Sequence, residues 1–518
     1  MAILKTLRRW LAAAALALLP WQGALAAGEL IVLCYHEVES DRALKLTPTA
    51  LRASDLAAQF AWLRSAGYTP VSLQRVLEAR RGGAPLPDKA VLLTFDDGKK
   101  DVYTRAFPLL KLFGYPAVVA LVGRWLEVPA GGTVDYDGVP LPRADFVSWD
   151  DVREMQRSGL VEIASHSFDL HRGVPANPQG NTEPAAISRI YADGRYENDA
   201  AYLERLRADL AASRALLEKQ TGRAPRAVAW PYGRSNRAAQ AVASALGFEV
   251  GFTLEDGLNT VATPPAEMKR YLIDGTAPLQ SFAESMRRVW QPDPARSVRV
   301  VPATWPPGID GLSPTLDRIL RLQTNVAFVD PRAGGEGGAV LFPTTRRPLA
   351  RDELNHIAWQ IERRAGSPVF IELPADWLDD AELLGDLAKH VNFAGIRVPV
   401  APGDPRMAAV RAAIERWCWP LRVAYAPAVP PAPAAWDALS VGDLVVLRAA
   451  LAGAVERRYA GRVLFEYAAE PGTAATVATG MRRLEAEGFR QFGLAALPVE
   501  GFDAAWTALS LRSQPQLP

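Results

Sequence analysis

Apolar and polar positions fall into a repeating pair along this chain: a short run of aliphatic and β-branched residues, then a longer stretch with apolar residues every three or four positions. In the first half the pattern predicts strands over 30–35, 90–95, 117–122, 161–164 and 227–230, alternating with helices over 54–66, 104–113, 149–158, 202–221 and 237–246. Such alternation means a mainly parallel sheet wrapped by helices, so the class is α/β. The second half repeats the grammar, with strands over 325–329, 369–373, 395–398, 421–424, 444–447, 463–465 and 489–494 and helices such as 351–364 and 477–487. It reads as a second, shortened (β/α) barrel. Gln291-Pro292-Asp293-Pro294 and Thr304-Trp305-Pro306-Pro307-Gly308 interrupt both patterns, which sets a linker over 291–308 between domains at 28–290 and 309–518.

A length of 518 residues agrees with two domains, and 49% hydrophobic with 22% charged residues excludes wholesale disorder and a polytopic membrane protein. Only Cys34 and Cys418 occur, too few for a disulfide framework or a thiolate zinc site, so any metal must sit on histidine and carboxylate. Lys5, Arg8 and Arg9 precede an apolar run over 10–19, and Ala24-Leu25-Ala26 supplies the small residues of a cleavage site. Residues 1–26 are therefore expected to be a signal peptide, leaving a periplasmic or secreted protein. Cys34 lies inside a strand-like run, not after a lipobox. Cleavage removes three positive charges and no acid, taking the formal net charge from +1 to −2. That argues against nucleic acid as a partner and leaves neutral sugar polymers.

Candidate chemistry gathers at strand ends, where parallel α/β folds place it. The run over 92–95 ends in Asp96-Asp97-Gly98, which is also ordinary turn chemistry. His166 and His171 follow the strand over 161–164; five residues apart they do not share a helix face, but a loop can fold both imidazoles toward one ion. With Asp97 they make a set of two imidazoles and one carboxylate that leaves positions open for water and substrate. His36 ends the first strand, and Trp230-Pro231-Tyr232-Gly233 makes a rigid turn after a later one. Convergence of four polar signals on one rim is the pattern of an active site.

Phe95-Asp96-Asp97-Gly98, His166-Ser167 with His171, and Pro231-Tyr232-Gly233 resemble the motifs of the NodB-like polysaccharide deacetylases, metal-dependent enzymes that remove acetyl groups from amino sugars. His36, the segment Asn177-Pro178-Gln179-Gly180-Asn181 and the second α/β domain further resemble the branch acting on poly-β-1,6-N-acetyl-D-glucosamine in biofilm export, in which the histidine motif comes first in the chain. The resemblance implies a distorted (β/α) barrel and one divalent metal ion (zinc, nickel, cobalt or iron) on Asp97, His166 and His171. Asp96 would be the general base, His36 the general acid, and the Tyr232 backbone N–H an oxyanion donor. It also implies poly-N-acetylglucosamine as substrate and an outer-membrane exporter as partner. The chain departs from the family at Ala229, where many members carry a base-orienting arginine. Arg226 is the candidate substitute, and low intrinsic activity is expected.

Related second domains cut partly deacetylated polymer with acidic residues at strand ends. Here the strand over 393–398 runs into Pro399-Val400-Ala401-Pro402, and 300–305 carries no acid, so the second barrel is expected to bind glycan without cutting it. Asp330, Glu372 and Glu466 are the remaining acids near strand ends, and Trp305, Trp377 and Tyr425 are candidates for stacking on sugar. Two alternatives stay open: a deacetylase of chitin, peptidoglycan or acetylxylan, and an export escort in which chemistry is secondary.

Overall fold

The structure is a computed structural model, which describes residues 28–288, 299–303 and 312–495 apart from 322, 323, 325, 335–337, 441, 469 and 471. The expected signal segment and Trp305 lie outside the described residues. Among these residues no helix is long and apolar enough to cross a membrane.

Seven strands build the first barrel: β1 (Leu30–Tyr35), β2 (Ala90–Phe95), β3 (Ala117–Leu121), β4 (Val161–Ser165), β5 (Ala227–Ala229), β6 (Val250–Phe252) and β7 (Tyr271–Leu272). They lie in the order β6-β5-β4-β3-β2-β1-β7 and run parallel throughout. A short strand, Thr69–Pro70, pairs beside the start of β2. Between β6 and β7 the sheet is open apart from a bridge from Phe252 to Met268. Every residue of β1, β2 and β3 is buried, as expected of a parallel sheet covered on both faces. The two-residue side-chain period divides them: Ile31, Leu33, Val91 and Leu93 pack in one cluster, while Val32, Leu92, Val118 and Ala120 join Ala164, Ala229 and Phe252 in another.

Helix boundaries follow local chemistry. In α1 (Trp149–Arg157) the Ser148 side chain accepts from the Asp151 N–H while the Asp151 carboxylate accepts from the Ser148 N–H, a reciprocal capping box. The helix predicted from 202 begins earlier, as α2 (Asp199–Thr221), because the Asn198 side chain caps the Ala201 N–H. A third helix, α3 (Arg237–Ala245), follows the Pro231 turn, and α4 (Leu354–Ala365) belongs to the second domain.

Eight parallel strands close the second barrel: β8 (Arg299–Ala303), β9 (Val326–Val329), β10 (Val369–Glu372), β11 (Gly395–Val398), β12 (Arg422–Tyr425), β13 (Leu444–Arg448), β14 (Val463–Tyr467) and β15 (Phe492–Leu494). The barrel is short in chain length but complete in strand number. β8 corrects the expected boundary, since it lies within the stretch 291–308 and pairs with both β9 and β15. Proline punctuation masked a five-residue strand there. Trp377 and Tyr425 are core residues, 3% and 6% exposed, and not open sugar platforms.

The two barrels share a continuous apolar cluster in which Tyr202, Leu206 and Val242 pack with Trp417, Leu421 and Val391. The Arg189 guanidinium sits 3.9 Å from the Tyr202 ring centre and 4.3 Å from that of Trp417. The Asn177–Asn181 segment belongs to this junction. Asn177 and Asn181 bond each other across a turn, Gln179 donates to the Asp352 carbonyl at 2.7 Å, and Asn181 Oδ1 meets His356 Nδ1 at 2.6 Å. This segment therefore joins the domains instead of facing the motif histidines.

Candidate active site

Register brings the first two motifs together. Tyr35 pairs with Phe95, so His36 and Asp96 leave adjacent strand ends side by side, and the Asp96 N–H donates to the Tyr35 carbonyl at 3.0 Å. A His36 ring nitrogen, Cys34 Sγ and an Asp96 oxygen lie within 4.8 Å of one another. Asp97 and Gly98 then take φ of 73° and 71°, two successive left-handed residues that turn the chain and separate the aspartates. At Gly98 a Cβ would stand 2.6 Å from Leu121 Cδ2 on a left-handed backbone, a combination that favours glycine.

Asp96 is held by Arg270, which directly precedes β7. Nη1 donates to Oδ1 at 2.8 Å, Nη2 lies 2.8 Å from Oδ2, and both side chains are buried. Arg270 is itself fixed by the Thr253 carbonyl at 3.0 Å and Thr94 Oγ1 at 3.1 Å. Burial alone would raise the Asp96 carboxyl, but Arg270, with His166 and His36, holds it down at about 2. The clamp is thus present and comes from the residue just before β7. Arg226, the substitute expected from sequence, is spent on Glu162 at 3.0 and 2.8 Å. The group Cys34, His36 and Asp96 does not suit a metal, because a guanidinium already covers the carboxylate. Burial raises the Cys34 thiol well above its ordinary range, so it stays protonated and faces Asp96 Oδ2 at 3.5 Å.

The neighbouring Asp97 is built differently. His166 Nε2 and His171 Nε2 each lie 3.4 Å from Oδ1, and that oxygen is buried without a hydrogen-bond donor. Among the described residues only these two imidazoles approach it, which fits a cation held among the three side chains. Each position is fixed by local chemistry. The His166 Nδ1 bonds the Ala229 carbonyl at 2.7 Å, which directs Nε2 toward Asp97. Between the histidines, Ser167 takes φ 72°, its Oγ accepts from the Leu170 N–H at 3.0 Å, and Asp209 on α2 accepts from the Phe168 and Asp169 N–H groups at 2.9 and 2.7 Å.

Tyr232 adopts φ 57°, a strained conformation for an aromatic residue, within the turn that follows β5. A Cβ on Gly233 would meet the Leu254 N at 2.5 Å. Across the mouth lies a hairpin, Thr133–Tyr136 paired with Val139–Pro142, whose Tyr136 hydroxyl donates to Asp97 Oδ2 at 2.5 Å. Trp125 and Tyr232 flank the His171 ring at 4.8 and 4.6 Å between centres. Against burial, His166 and His171 hold Asp97 well below the carboxylate range, and Asp137 and Asp97 push His171 up to about 10, a field that favours positive charge at this point.

All six residues singled out from the sequence stand in this region: His36 and Asp96 adjacent, Asp97, His166 and His171 converging, and Tyr232 ring-to-ring with His171. Sequence reasoning missed Arg270, Asp209, Tyr136 and Asp137. Of these only the hairpin announced itself, through Asp137-Gly138 between β-forming residues.

In the second barrel Arg397 reaches Glu372 on β10 and, through Nη2 at 2.8 Å, Glu466 on β14, with its guanidinium 5.0 Å from the Phe328 ring centre on β9. Asp330 is tied to Arg332 at 2.7 and 2.9 Å.

Residues 83–251 match the family model described as polysaccharide deacetylase. The chain is similar to the poly-beta-1,6-N-acetyl-D-glucosamine N-deacetylase of Escherichia coli K12, 36% identical over 355 residues, which cover 66% of this chain and 52% of that protein. It thus spans about half the length of the curated relative. Among solved structures it is similar to a de-N-acetylase of Aggregatibacter actinomycetemcomitans, 38% identical over 50% of this chain and 99% of that one, at a TM-score of 0.47. The BpsB deacetylase domain of Bordetella bronchiseptica is 42% identical over 48% and 96% of the two chains, at 0.44.

Proposed function

From the match of residues 83–251 to the polysaccharide deacetylase model we propose that this chain is a member of that family and a metal-dependent N-deacetylase of poly-β-1,6-N-acetyl-D-glucosamine. Its products would be acetate and a partly deacetylated polymer, released in the periplasm or outside the cell after loss of residues 1–26 and passed to an outer-membrane exporter during biofilm formation. The naming of the relatives supports the substrate.

The observation that carries the reading is the contrast between adjacent aspartates: Asp96 clamped by Arg270 beside His36, and Asp97 with a buried, unsatisfied oxygen between two imidazoles. A divalent ion on Asp97, His166 and His171, of a kind that accepts imidazole such as zinc, nickel, cobalt or iron, would polarise the acetamide carbonyl and lower the pKa of a water. Asp96, ionised under the pull of Arg270, takes the proton of the attacking water. The Tyr232 N–H donates to the oxygen of the tetrahedral intermediate, and His36 protonates the departing amine nitrogen as the C–N bond breaks.

The test is acetate release from poly-β-1,6-N-acetylglucosamine, chitin oligosaccharides, peptidoglycan and acetylxylan under one set of conditions. We expect release from the β-1,6 polymer, abolished by a chelator and restored by a divalent metal. Equal release from the other glycans overturns the substrate; no release from any of them by metal-loaded protein overturns the activity.

A further inference from the structure

The two imidazoles that face Asp97 are oriented by different groups. For His166 the second ring nitrogen bonds a main-chain carbonyl, that of Ala229. For His171 the second nitrogen, Nδ1, is buried, and the polar atom facing it is Oδ1 of Asp137 at 3.5 Å. Asp137 comes from no strand of the barrel. It occupies the first turn position of the hairpin across the mouth, where Asp137 and Gly138 have φ of 52° and 83°, the two left-handed residues of a type I′ turn. The same Oδ1 accepts from the Tyr232 hydroxyl, so one carboxylate oxygen touches both the histidine loop and the aromatic turn.

We propose that Asp137 is the positioning residue for His171: its carboxylate accepts the Nδ1–H, fixes the tautomer that leaves Nε2 unprotonated toward Asp97, and raises the basicity of that nitrogen as a metal ligand. The hairpin is then the wall that completes the metal centre. This inference rests on the reading of Asp97, His166 and His171 as the ligands. The geometry also explains the choice of residue. Asn-Gly makes a type I′ turn as readily as Asp-Gly, so turn formation by itself does not require the charge.

Metal affinity separates the two roles. Cobalt and zinc dissociation constants of the full chain are measured by competition with a chromophoric chelator, together with the visible spectrum of the cobalt form. Asp137→Asn preserves the turn, and Asp137→Ala removes the carboxylate altogether; both are expected to weaken binding by about tenfold to a hundredfold and to shift the cobalt spectrum. Asp135→Ala serves as control, because Asp135 accepts from the Gly138 N–H at 2.7 Å and supports the turn without meeting His171; its affinity should stay within about twofold of the parent. Unchanged affinity in Asp137→Asn and Asp137→Ala, or an equal loss in Asp135→Ala, overturns the proposal while leaving the three-ligand reading intact. A parent chain that binds neither metal overturns that reading and this inference with it.

Discussion

In the first barrel Arg270 spends both η nitrogens on the single carboxylate of Asp96, and the adjacent Asp97 keeps a buried oxygen with no hydrogen-bond donor among the described residues. In the second barrel Arg397 divides its nitrogens between Glu372 and Glu466, on strands that are not neighbours, and lies across the mouth against Phe328. Both regions bring acids and one arginine to the carboxyl ends of parallel strands. They differ in what the arginine leaves behind: the first keeps an ionised base and a separate ligand, whereas the second shares one guanidinium between two acids, of which Glu466 keeps a buried oxygen without a partner among the described residues and a carboxyl raised by burial. Proximity of carboxylates therefore says little by itself, and the distribution of the cation among them decides which lone pairs remain for chemistry.

The largest expected effect breaks the first arrangement at its base. Asp96→Asn should lower acetate release by about a thousandfold, within the range of general acid–base catalysis, while metal content measured by elemental analysis stays at the parent level. Loss of the ion instead would mean that the aspartates exchange roles. Next comes the clamp. Arg270→Met leaves a buried carboxylate unpaired and should cost about 3–5 kcal/mol in urea unfolding, and adding Asp96→Asn should recover part of that loss by removing the stranded charge. If the double variant is no more stable than the single, the ion pair is not what Arg270 contributes.

A smaller effect follows from pH. The folded Asp96 carboxyl lies at about 2, below its ordinary 3.8, so its contribution is fully present above the ordinary value and is lost as pH falls toward 2. The shift corresponds to about 2 kcal/mol. The stability difference between the parent and Asp96→Asn should accordingly shrink across that interval; a difference independent of pH would refute the assignment. The smallest expected effect is none at all: the full chain, carrying Asp96→Asn to silence the first site, should leave partly deacetylated polymer uncut, with or without Arg397→Met. Shorter oligosaccharides would show that the Glu372 and Glu466 pair retains hydrolytic power and would dissolve the contrast between the barrels.

Much of the frame was legible because buried parallel strands are written as continuous apolar runs: 30–35, 90–95 and 395–398 coincide with β1, β2 and β11. The six candidate residues were legible because they follow such runs. Arg270 was not, since Lys269-Arg270 before a two-residue strand has no periodicity and looks like surface charge. Asp209 lies inside α2 and carries no local sign that it will bond the histidine loop. The Asn177–Asn181 segment misled in the other direction: its polar side chains serve a turn and the domain junction, a role that appears only when α4 of the second domain is in place.

The position of Arg270 also governs how the centre comes into being. Asp96 and its guanidinium partner are 174 residues apart, and β7 docks on β1 only after all the intervening strands exist. At translation rates of roughly 5–20 residues per second, the nascent chain carries Asp96 for on the order of ten to thirty seconds before its counter-charge is made. Burying an uncompensated carboxylate costs several kcal/mol, so during that interval the rim resists closing and the apolar ends of β1 and β2 stay accessible. A chain that ends before Arg270 would hold β1 to β6 and all six candidate residues in order and still be unable to seal them, which makes the last two-residue strand a checkpoint on the completeness of the domain.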